Sequence, residues 1–285
     1  MIGGMELSQF SVATKRLPMQ DASRVDRLDR DVAREVLDGA ARLGIDLVVT
    51  SYSDAKGETE DFLGQAHEEN PDAGLHVATS FFELVDPRFS YVFQKQLKKL
   101  RTDRIDLYFV EGVCDLTRTR DIDSGAVDFL FEQKEAGKIG ALGFSGELSA
   151  EHLSDYLGRY PWDFVRMKVN YHDWFTRGGR ECYQAAAEAG VPILAHAPLH
   201  CGASSNLKPQ ALEILREAAP QRSSIEWALL FVKSLAGVAS TSCNVRSAKE
   251  LAEDAAVFAG DATLHDGDMD VLEACAKAQQ TRKGV

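Results

Sequence analysis

The sequence lacks the residue patterns and segments that are typical of disulfide-rich secreted proteins, zinc-binding proteins and membrane proteins. Its 285 residues include five cysteines (Cys114, Cys182, Cys201, Cys243 and Cys275) that are widely spaced and form no C-x-x-C pair. This spacing indicates neither a disulfide framework nor a zinc knuckle and favours a reducing compartment. No apolar run approaches the roughly 18 residues of a membrane span, and the N-terminus has no basic segment followed by an apolar stretch. We therefore expect a cytoplasmic protein.

Positive charge is also in deficit. The chain has 32 Lys and Arg against 44 Asp and Glu, a formal net charge of −12. A field of this sign repels phosphate backbones and anionic lipids, so we expect no general binding to nucleic acid or to membrane surfaces. A single pocket can differ from the average, so a small-molecule substrate is the expected partner and an anionic one is not excluded. The composition favours no particular oligomeric state.

Short apolar or β-branched runs recur along the chain and alternate with longer segments of helical periodicity. Most runs are too short for helices and too apolar for half-exposed strands, as is typical of parallel strands covered by helices. With an initial strand near residues 10–14, the predicted strands lie at 47–50, 75–79, 105–110, 139–144, 164–167, 192–195 and 237–240.

The predicted helices between the strands have recognisable ends. The segment 29–43 places Val36 and Ala40 on one face and ends at Gly44, and Ser149 is a plausible N-cap for the helix that follows it. The segments 176–190 and 223–235 repeat this pattern. Eight alternating units without a polar linker or composition break predict one (β/α)8 TIM barrel over residues 1–285. No G-x-G-x-x-G follows an early strand, which argues against a dinucleotide-binding Rossmann domain.

Three stretches resemble motifs of the aldo-keto reductases. Residues 44–64 match the family's Gly-Ile-Asn, Asp-Thr-Ala, Tyr-Gly and Glu-x-x-Leu-Gly pattern in ungapped spacing. Residues 97–109 resemble its Ser-Leu-x-x-Leu-x-x-Asp-x-Ile-Asp-Leu-Tyr signature, and residues 137–145 its Gly-Lys-Ile-Arg-x-Ile-Gly-x-Ser. Residues 170–174 and 227–231 resemble a bacterial subgroup that often has a C-terminal ferredoxin-like extension, which we do not expect here because no Cys cluster follows. The resemblance implies a barrel of aldo-keto reductase type.

The resemblance also implies that the family's four catalytic positions are replaced in this chain. The family reduces carbonyls with NADPH through a Tyr proton donor, tuned by a Lys, an Asp and a His at strand ends. The Asp position corresponds to Val49, the Tyr position to Asp54, the Lys position to Ser80 and the His position to Glu111. A phenol with a pKa of about 10 donates a proton near neutrality only when a cation assists it. Acidic residues oppose the alkoxide that forms in carbonyl reduction, so ordinary Tyr-mediated reduction is not expected.

The same resemblance predicts that fewer residues than usual are available to bind the cofactor NADP. Ser145 is kept, and Arg246 with the following helix N-terminus could hold a phosphate, so these two residues are the candidate cofactor contacts if NADP binds. The other family positions carry different residues, namely Gly146, Lys168, His196, Asn244, Glu250 and Asp254. NADP is thus an open prediction and no other cofactor is indicated.

In a TIM barrel the carboxyl ends of the strands form the active site. Polar residues at those ends are candidates for chemistry, because a purely structural interior would be apolar. The predicted catalytic residues are Glu111, His196, Lys168 and Asp54, and the predicted substrate-binding residues are Tyr52, Ser80, Asn170, Trp174 and His200.

Three mechanisms fit these residue types. Glu111 and His196 could form a general acid–base pair beside a carbonyl. Lys168 could form a Schiff base if burial lowers its pKa, although an ion pair with Glu111 or Asp54 is the favoured interpretation. Asp54, Glu111, His196 and His200 could ligate a metal, but Pro198 places the i, i+4 histidines on a loop, and no metal is predicted. Cys201 and Cys243 are expected to be buried, inert thiols.

Three functional hypotheses follow. The first is a repurposed enzyme that runs lyase, isomerase or dehydratase chemistry on a hydroxylated or carbonyl substrate. The second is an NADP-dependent oxidoreductase with an atypical proton donor such as Tyr52. The third is an inactive barrel that serves as a binding or regulatory partner, and the polar mouth argues against it.

Overall fold

Eight parallel strands close into a barrel in the order of the chain, β1 to β8, in a computed structural model of the protein. The structure describes residues 1–21, 23–71, 73–117, 119–200, 204 and 206–280. The strands are β1 (Phe10–Ala13), β2 (Leu47–Val49), β3 (His76–Phe81), β4 (Ile105–Cys114), β5 (Ile139–Glu147), β6 (Phe164–Lys168), β7 (Ile193–His196) and β8 (Val238–Asn244). The predicted (β/α)8 barrel is confirmed, and each predicted strand is found within a few residues of its expected position.

Helices surround this barrel in the usual alternation. They are α1 (Arg30–Arg42), α2 (Glu58–Glu69), α3 (Phe89–Leu100), α4 (Arg120–Asp123), α5 (Ala126–Glu135), α6 (Ala150–Arg159), α7 (Tyr171–Thr176), α8 (Gly179–Glu188), α9 (Pro209–Ala218), α10 (Ser224–Lys233), α11 (Ala248–Ala259) and α12 (Asp268–Gln280). Within the described ranges, none of them has the length and apolarity needed to cross a membrane.

The helix boundaries show where local sequence rules hold and where they fail. Asp29 caps α1 by accepting a hydrogen bond from Val32 N at 3.2 Å. Ser149 precedes α6 as expected, but its side chain makes no capping bond to the helix and instead contacts Asp115. The helix predicted over 176–190 is wrong at its start. It begins at Gly179, because Gly178 has a φ of +76° and separates it from α7.

Two apolar layers define which side chains enter the barrel. One cluster fills the space between strands and helices. The other lies inside the barrel and includes Ala78, Phe109 and Phe164. Because successive side chains in a strand alternate between faces, the residues two positions further along these strands, Ser80, Glu111 and Arg166, also belong to the interior face. The fold therefore brings a hydroxyl, a carboxylate and a guanidinium to the open end of the barrel.

Candidate active site at the barrel mouth

Glu111 is held near the carboxyl end of β4 by two hydroxyl groups, one from the adjacent strand β3 and one from the segment just after β2. Its Oε2 accepts hydrogen bonds from Ser80 Oγ at 2.7 Å and from Ser51 Oγ at 3.1 Å. Both serines are buried, Ser80 completely. The described residues donate no hydrogen bond to Oε1 of the same carboxylate. One oxygen is thus fixed by the protein, while the other is left for a ligand or solvent.

A bulge in β4 sets the direction of this glutamate. The pairing between β4 and β5 shifts register between Glu111 and Val113, and Gly112 has a φ of +82°. Bulges bend a strand and re-aim its side chains, and they are frequent beside active sites. Position 112 requires glycine, because a Cβ there would lie 2.4 Å from Cε2 of Phe82.

Asp54 lies in the short 3₁₀ turn after β2 and is also tied to the mouth by a hydroxyl. Thr14 Oγ1 lies 2.8 Å from Asp54 Oδ2. Burial raises the pKa of the Asp54 carboxyl to about 6; the Thr14 hydrogen bond opposes this shift, nearby Glu111 adds to it, and Lys15 and Arg166 oppose it more weakly. An acid with such a pKa can accept and donate protons near neutrality.

Arg166 is a charged residue of the barrel interior that was not among the residues predicted from the sequence. It lies on β6 with its Cζ 5.2 Å from the centre of the Phe109 ring. The described residues give its guanidinium one hydrogen bond, from Nη1 to Ser145 Oγ at 3.4 Å, and Nε is buried without a partner. Burial lowers the pKa of Arg166 from its usual value, and Glu111 and Asp54 counteract this. The sequence could have indicated its position, because Arg166 lies two residues after the apolar Phe164 and side chains two apart in a strand share a face.

The strand register brings Glu111 and Arg166 to one level of the barrel. Glu111 pairs with Ser145 across β4 and β5, and Ser145 pairs with Arg166 across β5 and β6. Two strand spacings of about 4.8 Å separate the backbones of Glu111 and Arg166 by about 10 Å. Strand β5 lies between these two backbones, and the Arg166 side chain reaches back toward β4, where its Cζ lies over the Phe109 ring. Groups of opposite charge therefore share one level of the mouth.

The other two predicted catalytic residues lie nearby but differ in character. His196 ends β7 on the interior face, and burial lowers its pKa well below the usual range, with Arg166, Lys168 and Lys15 adding to the effect. His196 is therefore neutral. Lys168 makes an ion pair with Glu147, which is exposed, rather than with Glu111 or Asp54. The ion-pair interpretation of Lys168 thus finds a different partner from those expected.

The predicted substrate-binding residues are divided between the mouth and its surroundings. Ser80 contacts Glu111, as described above. Asn170 is buried and caps α7 by accepting a hydrogen bond from Asp173 N at 2.8 Å. Its Nδ2 donates to Asp173 Oδ2 at 2.9 Å. Asn170 therefore shapes the loop after β6.

Tyr52, Trp174 and His200 lie further from the two carboxylates. The Tyr52 ring packs against the ammonium groups of Lys95 and Lys99 on α3 at 5.6 and 5.9 Å. The Trp174 ring packs on Phe231 at 5.3 Å. His200 Nδ1 lies 3.5 Å from Asp173 Oδ2. None of the three contacts Asp54 or Glu111.

The candidate cofactor contacts do not fit a phosphate group. Ser145 is at the mouth, where it accepts the hydrogen bond from Arg166. Arg246 is held by Glu250, whose Oε2 accepts from Arg246 N at 2.9 Å and from Nε at 3.2 Å. A carboxylate therefore occupies the start of α11, where the resemblance predicts the phosphate. Deeper in this helix, Asp254 Oδ2 is buried without a partner, and burial, then Glu250 and Glu253, raises the Asp254 pKa to about 7. A further anion would be repelled.

The structure has no cluster of metal ligands in the residues it describes, counting groups of three or more His, Cys, Asp or Glu side chains. Cys243 is buried, and burial raises the pKa of its thiol well above the usual value, which fits the expected inert thiol. Cys201 lies outside the described residues.

Two clefts open on the surface away from the two carboxylates. One of about 330 Å³ lies beside the ends of β5 and β6 and is lined in part by Glu147, Lys168 and Asp173. Another of about 610 Å³ lies between α9 and the start of α10. Neither is lined by Asp54, Glu111 or Arg166. The convergence of charged groups at the strand ends identifies the candidate site better than cleft volume does.

Comparisons with known proteins agree with the barrel. The model of the aldo/keto reductase family matches residues 14–277. The solved structure of the aldo-keto reductase AKR11C1 from Bacillus halodurans (holo form) is similar with a TM-score of 0.79 at 23% identity, covering 99% of this chain and 97% of that chain. The glycerol dehydrogenase AKR11B4 from Gluconobacter oxydans has a TM-score of 0.79 at 20% identity, with coverage of 98% and 95%. No curated protein matches the chain.

Proposed function

We propose, from the premise that the chain belongs to the aldo/keto reductase family, that it is a small-molecule enzyme that transfers protons without hydride transfer. Its substrate is a hydroxylated or carbonyl compound, and the reaction is of the isomerase, lyase or dehydratase kind. The observation that carries the proposal is the pair of carboxyl groups, Asp54 and Glu111, near enough to the half-buried guanidinium of Arg166 at the mouth of the barrel to influence its charge.

This arrangement fits acid–base chemistry at a carbon next to a carbonyl. One carboxylate removes the proton from that carbon, and the negative charge that develops on the oxygen is countered by Arg166. Return of the proton at the neighbouring atom gives an isomer, and loss of a neighbouring hydroxyl group as water gives a dehydrated product. Asp54 suits the proton transfer because its pKa of about 6 lies near the operating pH.

The surroundings of Asp54 and Glu111 support a division of roles. Two hydroxyl donors orient one oxygen of Glu111. Asp54 takes a single hydroxyl contact and is buried more deeply than an ordinary carboxylate. Environments that differ in this way let two carboxyl groups act as different partners in one reaction. His196, neutral and close to Arg166, adds a hydrogen-bonding group rather than a charge.

A second candidate function is NADP-dependent oxidation or reduction of a similar substrate with a proton donor other than tyrosine. Membership of the aldo/keto reductase family favours it, and the related structure named as a glycerol dehydrogenase suggests a hydroxylated substrate. The carboxylate of Glu250 at the start of α11 argues against it.

A titration with NADPH separates the two candidates. Thermal unfolding is followed while NADPH rises from 1 µM to 1 mM, since a ligand that binds only the folded protein raises its stability by RT ln(1 + [L]/Kd). We expect no saturable rise in Tm. Saturation at micromolar NADPH would contradict the proposal and establish the oxidoreductase alternative. Glu250→Gln serves as the companion variant, because removal of the blocking charge should permit weak binding.

A further inference from the structure

We infer that Arg166 is the substrate-recognition residue of the mouth and that the substrate carries a carboxylate group, which the guanidinium binds. This inference rests on the proposed function and names the class of substrate that the acid–base site accepts.

The first argument is the hydrogen-bonding state of the guanidinium. Nη1 donates to Ser145 Oγ at 3.4 Å, which is a long contact, and the buried Nε has no partner. A buried donor without an acceptor carries a desolvation cost, and for a charged group this cost is large. Native proteins keep such groups chiefly where function requires them. The two terminal nitrogens, Nη1 and Nη2, present parallel donors at the end of the guanidinium, a geometry that matches the two oxygens of a carboxylate.

The second argument is that the protein holds the guanidinium in place without neutralising it. The Phe109 ring lies under the Cζ of Arg166 at 5.2 Å and supports the cation from one side. Asp54 and Glu111 influence Arg166 through space, yet each is engaged with hydroxyl groups instead, Thr14 for Asp54 and Ser51 with Ser80 for Glu111. Among the described residues, no carboxylate forms an ion pair with Arg166. Two acids lie nearby and neither pairs with the cation, so the terminal nitrogens of the guanidinium are available to a ligand.

The third argument concerns the charge that the ligand can bear. Two acidic side chains share the mouth with Arg166, and Lys15 lies close enough to influence both Asp54 and His196. One negative charge on the ligand can be balanced by Arg166, whereas a doubly charged phosphate would meet Asp54 and Glu111 with an excess of like charge. The mouth therefore favours a carboxylate over a phosphate.

The position of Arg166 also explains how the carboxylate would meet the catalytic groups. Glu111 and Arg166 occupy the same register level about 10 Å apart, measured as two strand spacings. A carboxylate bound to Arg166 would bring its adjoining carbon to the level of Glu111. Removal of a proton from that carbon moves negative charge onto the carboxylate, where Arg166 stabilises it.

Binding of small acids and of their neutral counterparts tests this inference directly. The probes are lactate, pyruvate and gluconate, with lactamide as the uncharged analogue and inorganic phosphate as the alternative anion, each added to the full chain and followed by calorimetry and thermal unfolding. We expect saturable binding of at least one carboxylate, and weakening by about tenfold or more in Arg166→Gln, since a charge-assisted pair is lost. Arg166→Lys should recover only part of the binding, because an ammonium lacks the fork of donors.

Arg177→Gln is the matched control, since that arginine is exposed and pairs with Asp173 outside the mouth. Unchanged binding in this control, with loss in Arg166→Gln at an unaltered Tm, supports the inference. Equal binding of lactate and lactamide, or binding of phosphate alone, overturns it. Asp54→Asn keeps the two proposals apart, because it should still bind carboxylates, and more tightly, even where proton transfer is lost. Carboxylate binding without any proton exchange would thus uphold the recognition site while contradicting the proposed function.

Discussion

At the scale of single residues, burial rather than residue type decides what Asp54 can do. An aspartate stands at the position that corresponds to the family's tyrosine. A solvated aspartate is ionised near neutral pH and is then a poor proton donor. The structure encloses it near Thr14 and Glu111, and this desolvation raises the pKa to about 6. The sequence could locate Asp54 at the end of a strand, but the depth of burial depends on side chains from other strands.

The raised pKa of Asp54 predicts a defined pH dependence of stability. The folded state holds the proton more tightly than the unfolded state, where the pKa is near 3.8. The stabilisation from Asp54 is therefore complete below about pH 4 and is lost as pH rises through about 6. Over this range the free energy of unfolding of the wild type should fall by no more than about 3 kcal/mol because of Asp54. The Asp54→Asn variant should lack this fall and should be more stable than the wild type at pH 8.

Urea unfolding at pH 4.5, 6 and 8 measures this effect. The exposed Asp266→Asn variant serves as the control and should leave the pH profile of the wild type unchanged. A lower stability of Asp54→Asn than of the wild type at pH 8, with the same slope against pH, would show that the buried carboxylate stabilises the fold.

Arg166 shows a limit of sequence reasoning at the same scale. The strand at 164–167 is predicted correctly, and alternation from Phe164 would have placed Arg166 inside the barrel. The resemblance instead placed a family cofactor position at Lys168, whose flexible side chain reaches Glu147. Alternation identifies the face of a residue, but the contacts of a long side chain are set by charges on neighbouring strands.

At the scale of elements, the bulge in β4 sets the direction of the Glu111 side chain. The register shift after Glu111 and the positive φ of Gly112 turn the end of the strand at the level of Glu111. The sequence Glu-Gly-Val-Cys signals a flexible point but not a bulge, because the bulge depends on how β5 pairs with β4.

Gly112→Ala tests the role of the bulge. A side chain in the left-handed region is strained, and the new Cβ would meet Phe82 at 2.4 Å, so the free energy of unfolding should fall by more than about 1 kcal/mol. Any Glu111-dependent activity should fall with it. Gly137→Ala is a matched control, since Gly137 has a φ of +76° with nothing within 4 Å of its Cβ position.

Chemical denaturation of the two glycine variants gives the comparison. The loss of stability should be greater for Gly112→Ala, and Gly137→Ala should keep the activity of the wild type. Equal losses and equal activities would mean that backbone strain alone matters and that the bulge does not position Glu111.

The helices illustrate which local signals are strong enough to predict. Asp29 caps α1 and Gly44 follows its end with a φ of +68°, both as expected. The long helix predicted over 176–190 failed because Gly178 and Gly179 permit a break that apolar periodicity does not register. Asn170, which was predicted to bind substrate, lies two residues after β6 and caps α7.

At the scale of the whole molecule, this barrel combines an overall negative charge with acidic side chains at two places on the barrel. The chain has a net charge of −12, and acids lie both at the mouth and at the start of α11. The fold was predictable from strand rhythm and motif spacing, because these depend on local sequence. The placing of Arg166 near Glu111 and Asp54, neither of which forms an ion pair with it, was not predictable, because it depends on side chains from β4, β6 and the turn after β2.

The central claim is proton transfer at the mouth without a nicotinamide cofactor, and hydrogen exchange tests it most directly. The chain is incubated in D₂O with 2-hydroxy and 2-oxo carboxylates, with and without NADPH, and deuterium incorporation next to the carbonyl or hydroxyl carbon is followed by ¹H NMR. We predict incorporation or water loss that is independent of NADPH and is reduced in both Asp54→Asn and Glu111→Gln. Conversion between carbonyl and alcohol that occurs only when NADPH is present, with NADPH consumed in equal amount, would contradict the claim.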